Sequence, residues 1–161
     1  MRAISTVAFV VALGSLLVPT GFAGGVLTFT VKTRQGPTTA HPHPPSGGVG
    51  DSYASSLELL NRKVAQLGKP AHSPVGTMEF TYTIRKQCMS FEVTCVATAD
   101  FATVSLLPGG TVLASGRSIP ISDPTITIPV TGGTGRYAGA TGTVTISPSS
   151  RKTSTYELML P

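Results

Sequence analysis

Alternation of apolar and polar residues is the feature that most restricts how this chain can fold. In Thr77–Arg85, Met78, Phe80, Tyr82 and Ile84 fall on one side. Successive side chains of a strand point to opposite faces, so this period of two predicts a half-buried strand. Similar segments recur along the chain and predict eight strands: Val26–Thr33, Asp51–Leu59, Thr77–Arg85, Val93–Leu106, Thr111–Ile119, Thr125–Thr131, Thr141–Ser147 and Thr153–Leu160.

Turn residues separate these strands. The 161 residues include 18 Gly and 13 Pro, which suits short strands joined by turns. The segment Gln35–Val49 holds four Pro, each of which lacks a backbone donor, so it predicts an irregular Pro-rich loop. Leu60–Pro74 fits either a short helical turn or an exposed loop.

The strand count limits the architecture to an antiparallel sandwich or barrel. The first and last strands are apolar and would be exposed edges in an open sheet, so closure is favoured. The predicted fold class is therefore all-β, an eight-stranded antiparallel closed barrel. Such a barrel is just wide enough for its own side chains or one small ligand.

The N-terminus has the pattern of a secretory signal peptide. Met1-Arg2 is positive, Ala3–Val18 is apolar, and small residues lead to Ala23. Sixteen largely apolar residues are short for a bilayer, so stable membrane insertion is not expected. We predict cleavage after Ala23 or a neighbouring bond, a secreted product, and one barrel domain over residues 24–161. Loss of Arg2 leaves 11 basic and 7 acidic residues, a net charge of +4.

Cys88 and Cys95 are the only cysteines. In an exported protein they predict a structural disulfide, because a metal site would need further ligands and a catalytic thiol would need a nearby base. His41 and His43 lie in the Pro-rich segment and make a poor metal site, so no metal is predicted. The basic pairs at 62–63, 85–86 and 151–152 are isolated, and no nucleic-acid partner is predicted.

The glycine-rich segment Thr131–Gly139 loosely fits a dinucleotide-binding loop. That loop requires a following helix, whereas Ala140–Ile146 is a strand former. We therefore interpret the segment as a corner between strands. Arg136 and Tyr137 are expected to pack and pin it, with gating of a cavity as the alternative. The corner motif is Gly132, Gly133, Gly135, Arg136 and Tyr137.

The segment Ile126–Ile146 (ITIPVTGGTGRYAGATGTVTI) resembles the signature of the dirigent and allene-oxide-cyclase-like barrels, particularly their small exported bacterial members. Further blocks that look like the family's cover most of residues 50–160. The resemblance implies an eight-stranded barrel with an apolar cavity, often trimeric. The blocks are Gly50-Asp51, Val75-Gly76-Thr77, Gly110–Arg117 and Tyr156-Glu157.

The resemblance also implies a chemistry. Allene oxide cyclases isomerise a fatty-acid epoxide, related bacterial barrels close polyketide rings, and dirigent proteins steer phenoxy radicals made by a separate oxidase. Each uses a cavity that restricts a reactive molecule to one conformer. The expected partner is a small apolar or phenolic ligand, with no metal or organic cofactor, in a homo-oligomer for which a trimer is favoured.

Three residues are the catalytic candidates. Asp51 falls where the family has an Asp and can transfer a proton if it is buried in the lumen, or it bonds loop amides at a strand end. The phenol of Tyr82 can hydrogen-bond a substrate oxygen or simply close the core. Arg117 resembles the Arg of the dirigent Gly-Arg block and can stabilise an oxyanion, or it pairs with Asp100 or Asp123.

Tyr53, Phe80 and Asp100 are the ligand-binding candidates. Tyr53 shares a strand face with Asp51, and Phe80 shares one with Tyr82. Asp100 falls on an otherwise apolar face with Val104. Three functions remain open: a cavity that guides or catalyses cyclisation or coupling, a barrel that only binds a lipophilic ligand, and a structural barrel filled by its own side chains.

Overall fold

The computed structural model describes residues 24–41, 48–88, 95–121, 125–147 and 152–161. They form eight strands and one 3-10 turn, Gly135–Tyr137. Among them no helix is long and apolar enough to cross a membrane. The strands are β1 (Val26–His41), β2 (Ser52–Asn61), β3 (Pro74–Lys86), β4 (Thr98–Leu107), β5 (Gly110–Pro120), β6 (Ile126–Gly133), β7 (Thr141–Ser147) and β8 (Thr153–Met159).

The sheet closes on itself. Each strand pairs antiparallel with the next, and β1 also pairs with β8, from Val26 opposite Met159 to Lys32 opposite Thr153. Closure gives partners to the backbone groups that the first and last strands would expose in an open sheet. The predicted eight-stranded antiparallel barrel is confirmed.

The prediction of irregular structure from Gln35 is wrong for Gln35–His41, which continue β1. The register against β2 shifts between Gln35 and Thr38, and Gly36-Pro37 occupies this bulge. A bulge accommodates Pro because its missing N–H removes no hydrogen bond from the ladder there. Residues 42–47 of the predicted loop lie outside the described residues.

Two further predictions, which concern the segments between strands, can be compared with the structure. β4 begins at Thr98 rather than at Val93, a position outside the described residues, and residues 95–97 form no strand. Between β2 and β3 the exposed-loop alternative is correct. The side-chain amide of Asn61 donates to the carbonyls of Lys69 at 2.8 Å and Pro70 at 2.9 Å, which fixes that loop against the barrel.

Cys88 and Cys95 form the predicted disulfide, with their Cα atoms 5.6 Å apart. The bond closes the connection from β3 to β4. In the chain-entropy model a loop this short gives a modest stabilisation, about 2–3 kcal/mol.

One end of the barrel interior is filled by side chains. This closed end carries the C-termini of β2, β4, β6 and β8. Tyr156 is fully buried there, its ring stacks on Phe29 with centroids 4.6 Å apart, and its hydroxyl hydrogen-bonds Ser105 Oγ at 2.8 Å. The barrel is therefore a packed core over this half of its length.

The glycine corner completes the closed end. Tyr137 is fully buried, and its hydroxyl donates to the Pro108 carbonyl at 3.2 Å. The Arg136 guanidinium lies 5.4 Å from the Tyr137 ring centroid. A Cβ at Gly133 would collide with the carbonyls of Thr111 and Tyr137. The corner packs so tightly that position 133 admits only glycine.

Candidate functional site

The opposite end of the barrel contains a cavity of about 330 Å³. This open end is where β1, β3, β5 and β7 finish and the even-numbered strands begin. Its volume falls at the lower limit of ligand pockets, which run from about 300 to 1,000 Å³. The lining is mostly apolar, with a few polar groups: Thr33, Gln35, Ser55, Leu57, Phe80, Tyr82, Phe101, Ile121, Ile126, Ile146 and Lys152.

Four rings form an aromatic wall at this end of the barrel, and all but the first of them line the cavity: Tyr53, Phe80, Tyr82 and Phe101. Tyr53 lies directly opposite Tyr82 in the β2–β3 ladder, and their stacked rings have centroids 4.8 Å apart. Phe80 and Phe101 each lie within 5.8 Å of Tyr82, measured between centroids. Such contacts add about 0.5–1.5 kcal/mol each beyond area burial, so the wall is a preorganised surface for a planar or apolar ligand.

Tyr82 is the residue of the aromatic wall that brings a phenol group to the cavity. Burial raises the pKa of Tyr82 above its ordinary value, and the neighbouring Tyr53 acts in the same direction. The phenol is therefore protonated at physiological pH and can donate a hydrogen bond to a ligand oxygen. Of the predicted site residues, Tyr82 and Phe80 line the cavity, whereas Tyr53 is not among the lining residues and stacks on Tyr82.

Polar groups gather near the rim. The Gln35 amide donates to Thr38 Oγ1 at 3.0 Å, and Thr38 hydrogen-bonds Ser55 Oγ at 2.7 Å. Lys152, immediately before β8, also lines the cavity. Sequence reasoning missed Lys152, because in the sequence it belongs to an isolated basic pair in a turn. Only the closing of β8 against β1 brings it to the cavity.

Asp51 is fully buried just before β2 but does not line the cavity. Its Oδ2 accepts a hydrogen bond from the Gly48 amide at 3.2 Å, and its backbone carbonyl accepts one from Ile84 at 2.9 Å. These contacts match the alternative of a strand-end carboxylate that organises the adjoining turn. A catalytic role for Asp51 stays a prediction.

Asp100 and Arg117 do not face the lumen, so the alternative in which Arg117 points inward does not match the structure. In β4 the residues at 99, 101, 103, 105 and 107 are buried inside, so Asp100 points outward. It pairs with Arg85 Nε at 2.7 Å and accepts the Ser118 amide at 2.9 Å. Arg117 is exposed on the outer face of β5, where its charge acts on Asp100. Asp100 therefore has a structural role, with Arg85 as its ion-pair partner in place of the Arg117 that the sequence suggested.

Asp100 stabilises a bulge in β5 that shapes the cavity indirectly. Phe101 is opposite Gly116 and Ala99 is opposite Ile119, so an extra residue lies between. Ser118 there has φ 52°, in the left-handed region that non-glycine residues seldom adopt. Because of this extra residue, the side chains that follow it in β5 point to the opposite face of the sheet from the one that alternation would predict. Ile119 consequently packs against the core and Ile121 lines the cavity.

Replacing Asp100 with Asn should reduce stability in a pH-dependent way. The pKa of Asp100 is lowered chiefly by the Ser118 amide and then by Arg85. A lowered folded-state pKa stabilises the fold above the ordinary Asp value, about 3.9, and this contribution disappears as the pH falls through the folded-state value. Urea unfolding should show the variant less stable than wild type at neutral pH, with the difference shrinking as the pH falls below the ordinary Asp value. A constant difference at all pH values would contradict this origin.

The glycine corner lies at the closed end, away from the cavity. The alternative in which Arg136 and Tyr137 gate the cavity is therefore wrong, since neither residue reaches the open end. Burial raises the pKa of the Tyr137 hydroxyl, which keeps it protonated as the donor to Pro108.

Barrels of this architecture recur among solved structures. Pyocyanin demethylase superposes with a TM-score of 0.64 and 23% identity, over 84% of this chain and 100% of that one. The exo-specific intermolecular Diels–Alderase AbnU gives 0.62 and 16%, over 84% and 99%. The Diels–Alderase AbmU from Streptomyces koyangensis gives 0.57 and 16%, over 86% and 68%. At these identities the likeness shows a shared fold. No protein-family model matches the sequence, and no curated protein is significantly similar to it.

Proposed function

We propose that this protein is a cyclase-type barrel whose cavity takes up a small apolar or phenolic molecule and holds it in the conformation that cyclises or couples. The observation that carries the proposal is the contrast between the two ends. The closed end is packed around Tyr156, while the open end keeps about 330 Å³ beside four aromatic rings. A barrel with only a structural role is expected to fill its interior with its own side chains, as close-packed protein cores do.

The fold supports the same conclusion. Two solved barrels of similar fold are Diels–Alderases, enzymes that form rings. The sequence resemblance to the dirigent and allene-oxide-cyclase-like barrels points to the same kind of chemistry, and we propose that the chain is related to them. The radical-coupling form of the proposal needs a separate oxidase, whereas ring closure within one substrate does not.

The cavity can act on such a reaction mainly through conformation. Rigid walls that admit one folded conformer of a flexible substrate bring its reacting atoms together and remove much of the entropic barrier. The protonated phenol of Tyr82 is positioned to donate a hydrogen bond to a substrate oxygen and to stabilise negative charge that develops on it. In this proposal Tyr82 polarises the substrate, and Phe80 and Phe101 hold its apolar part.

A second candidate function is binding without conversion. Of the three predicted catalytic residues, only Tyr82 lines the cavity. Asp51 is buried but does not line it, and Arg117 is exposed on the outer face of β5. The predicted acid–base set is therefore not assembled around one space, which favours a lipophilic-ligand carrier over an enzyme that depends on proton transfer.

Filling the cavity should weaken the uptake of an apolar probe. Leu57 lines the cavity, so Leu57→Trp places a bulky ring in it. We expect the affinity for N-phenyl-1-naphthylamine, measured by fluorescence, to fall by about tenfold or more, equivalent to about 1.4 kcal/mol. The matched control is Leu113→Trp, because Leu113 is exposed on the outer face of β5. Equal affinities for the wild type and Leu57→Trp would place the binding site elsewhere.

Conversion is tested on the molecule that the protein carries. Compounds released from protein purified from its own source are separated by chiral chromatography with mass detection. They are then incubated with wild type or Tyr82→Phe. Cyclisation changes retention without changing mass, and guidance by the cavity gives one stereoisomer in excess. A bound compound that the protein returns unaltered would support the carrier instead.

We also propose export and self-association. The signal-peptide pattern ending at Ala23 and the Cys88–Cys95 disulfide support an oxidising, extracellular location. The outer face of β4 carries exposed apolar side chains at Val104 and Leu106, 41% and 52% exposed, which supports contacts between copies. A trimer remains the favoured order, and sedimentation of the secreted protein measures it.

A further inference from the structure

We propose that Lys152 binds the anionic group of an amphipathic ligand whose apolar body occupies the cavity. The inference rests on the proposed ligand-binding function and names the ligand class: an organic monoanion such as a carboxylate or sulfonate with a hydrophobic part. It assigns an anion-binding role to the rim of the cavity, where nothing in the sequence pattern pointed to a binding residue.

Lys152 lies between two concave surfaces. It lines the apolar cavity with Thr33 and Ile146, and it also lines an adjoining depression with Lys32 and Arg34. Its backbone is held in place, because its carbonyl accepts a hydrogen bond from the Thr33 amide at 2.6 Å. Its φ of 45° is in the left-handed region, which a non-glycine residue seldom adopts. The ammonium group is thus carried by an anchored position at the mouth of the cavity.

The charges around this mouth are unbalanced. Neither the cavity nor the depression is lined by a carboxylate among the described residues. Arg34 pairs with Glu58 at 2.7 Å, and the other described ion pair, Arg85 with Asp100, is elsewhere. Within the described part of the chain, Lys152 and Lys32 therefore have no acidic partner within ion-pair distance. Their positive potential is left for a ligand.

The apolar cavity beside Lys152 makes this positive charge selective for an anionic ligand that also has a hydrophobic part. An apolar wall lowers the local dielectric constant, so an anion at the rim interacts with the ammonium group more strongly than it would in water. A ligand whose hydrophobic part reaches Phe80 and Phe101 leaves its polar end near the opening. Lysine is a compact point charge with three donors and suits a carboxylate or sulfonate oxygen. A neutral ligand fills the cavity without this contact, and a cationic one is repelled.

Two probes with one skeleton test the proposal. N-phenyl-1-naphthylamine is neutral, and 1-anilinonaphthalene-8-sulfonate adds a sulfonate to the same rings. We expect Lys152→Gln to weaken binding of the sulfonate by about tenfold, as for loss of a charge-assisted hydrogen bond, and to change binding of the neutral probe by less than about twofold. Lys152→Arg should keep the preference for the anion. Lys69→Gln, in the loop at the closed end, is the matched control and should change neither affinity.

The outcomes separate this inference from the function on which it rests. Equal binding of the sulfonate by wild type and Lys152→Gln, or equal weakening of both probes, overturns the role of Lys152. Failure of the wild type to bind the neutral probe overturns the cavity proposal itself. The wild-type preference for the sulfonate should also diminish between 0.05 and 0.5 M salt, because screening acts on a charge at the rim. Thermal unfolding of each variant verifies that it is folded.

Discussion

Replacing Tyr156 with Ala should lower the free energy of unfolding by about 3–5 kcal/mol, the range for truncating a large buried aromatic side chain. Tyr156 is fully buried at the closed end and stacks on Phe29. Its removal leaves a void among strands that hydrogen bonds hold at fixed spacing, so the site cannot collapse to refill it. Urea unfolding of the purified variant measures the loss. A loss below about 1 kcal/mol would mean that this half of the barrel is not the packed core.

Two milder variants separate packing from hydrogen bonding at the same position. Tyr156→Phe keeps the ring and leaves Ser105 Oγ without its partner at 2.8 Å, so it should cost about 1–2 kcal/mol. Ser105→Ala should cost a similar amount, because it leaves the buried hydroxyl of Tyr156 without its hydrogen-bond partner. Burial raises the pKa of Tyr156, so this hydroxyl stays protonated. The double variant should be less destabilised than the sum of the two, since no unpaired hydroxyl then remains.

Replacing Gly133 with Ala should destabilise the barrel by about 3 kcal/mol or more, beyond the usual cost of overpacking. A methyl group there meets the carbonyls of Thr111 and Tyr137 and lies 2.9 Å from Tyr137 Cβ. All of these atoms belong to the strand ladder or to the glycine corner. The clash therefore requires movement of backbone rather than rotation of a side chain. Chemical denaturation of the variant measures the loss.

Gly132 provides the matched control for this prediction. Its φ is 152°, but nothing lies within 4 Å of the position that a Cβ would take. Gly132→Ala therefore carries only the conformational cost of a positive φ, about 1 kcal/mol. If Gly133→Ala were no worse than Gly132→Ala, conformation and not space would explain the glycine corner. The folded fraction of either variant should bind the neutral naphthylamine probe normally, because the cavity is at the other end.

Stability and ligand binding are thus assigned to different halves of one barrel. Tyr156, Tyr137 and Gly133 hold the closed end, and none of them lines the cavity. The open end keeps its space with fewer fully buried groups around the aromatic wall. This division allows cavity residues such as Leu57 or Lys152 to be substituted with little expected effect on folding. It also makes the binding assays interpretable.

The sequence alone determined the number and order of the strands and, away from bulges, the row of residues that each strand presents. Alternation grouped Asp51 with Tyr53 and Phe80 with Tyr82, and the apolar first and last strands required closure. Local signals also sufficed where the partners are near in the chain. The disulfide joins cysteines seven positions apart, and the glycine corner lies within nine residues. Such features depend on period and spacing, which a sequence displays directly.

Only the tertiary structure decided which face of a strand points inward. A period of two defines two faces without naming the inner one, and in β4 both faces carry apolar residues. Val104 lies outside, so Asp100 lies outside with it. The β5 bulge then turns Ile121 inward, and closure of β8 on β1 brings Lys152 to the cavity. Register shifts and contacts between the two ends of the chain depend on how all eight strands pair at once, and no single segment encodes them.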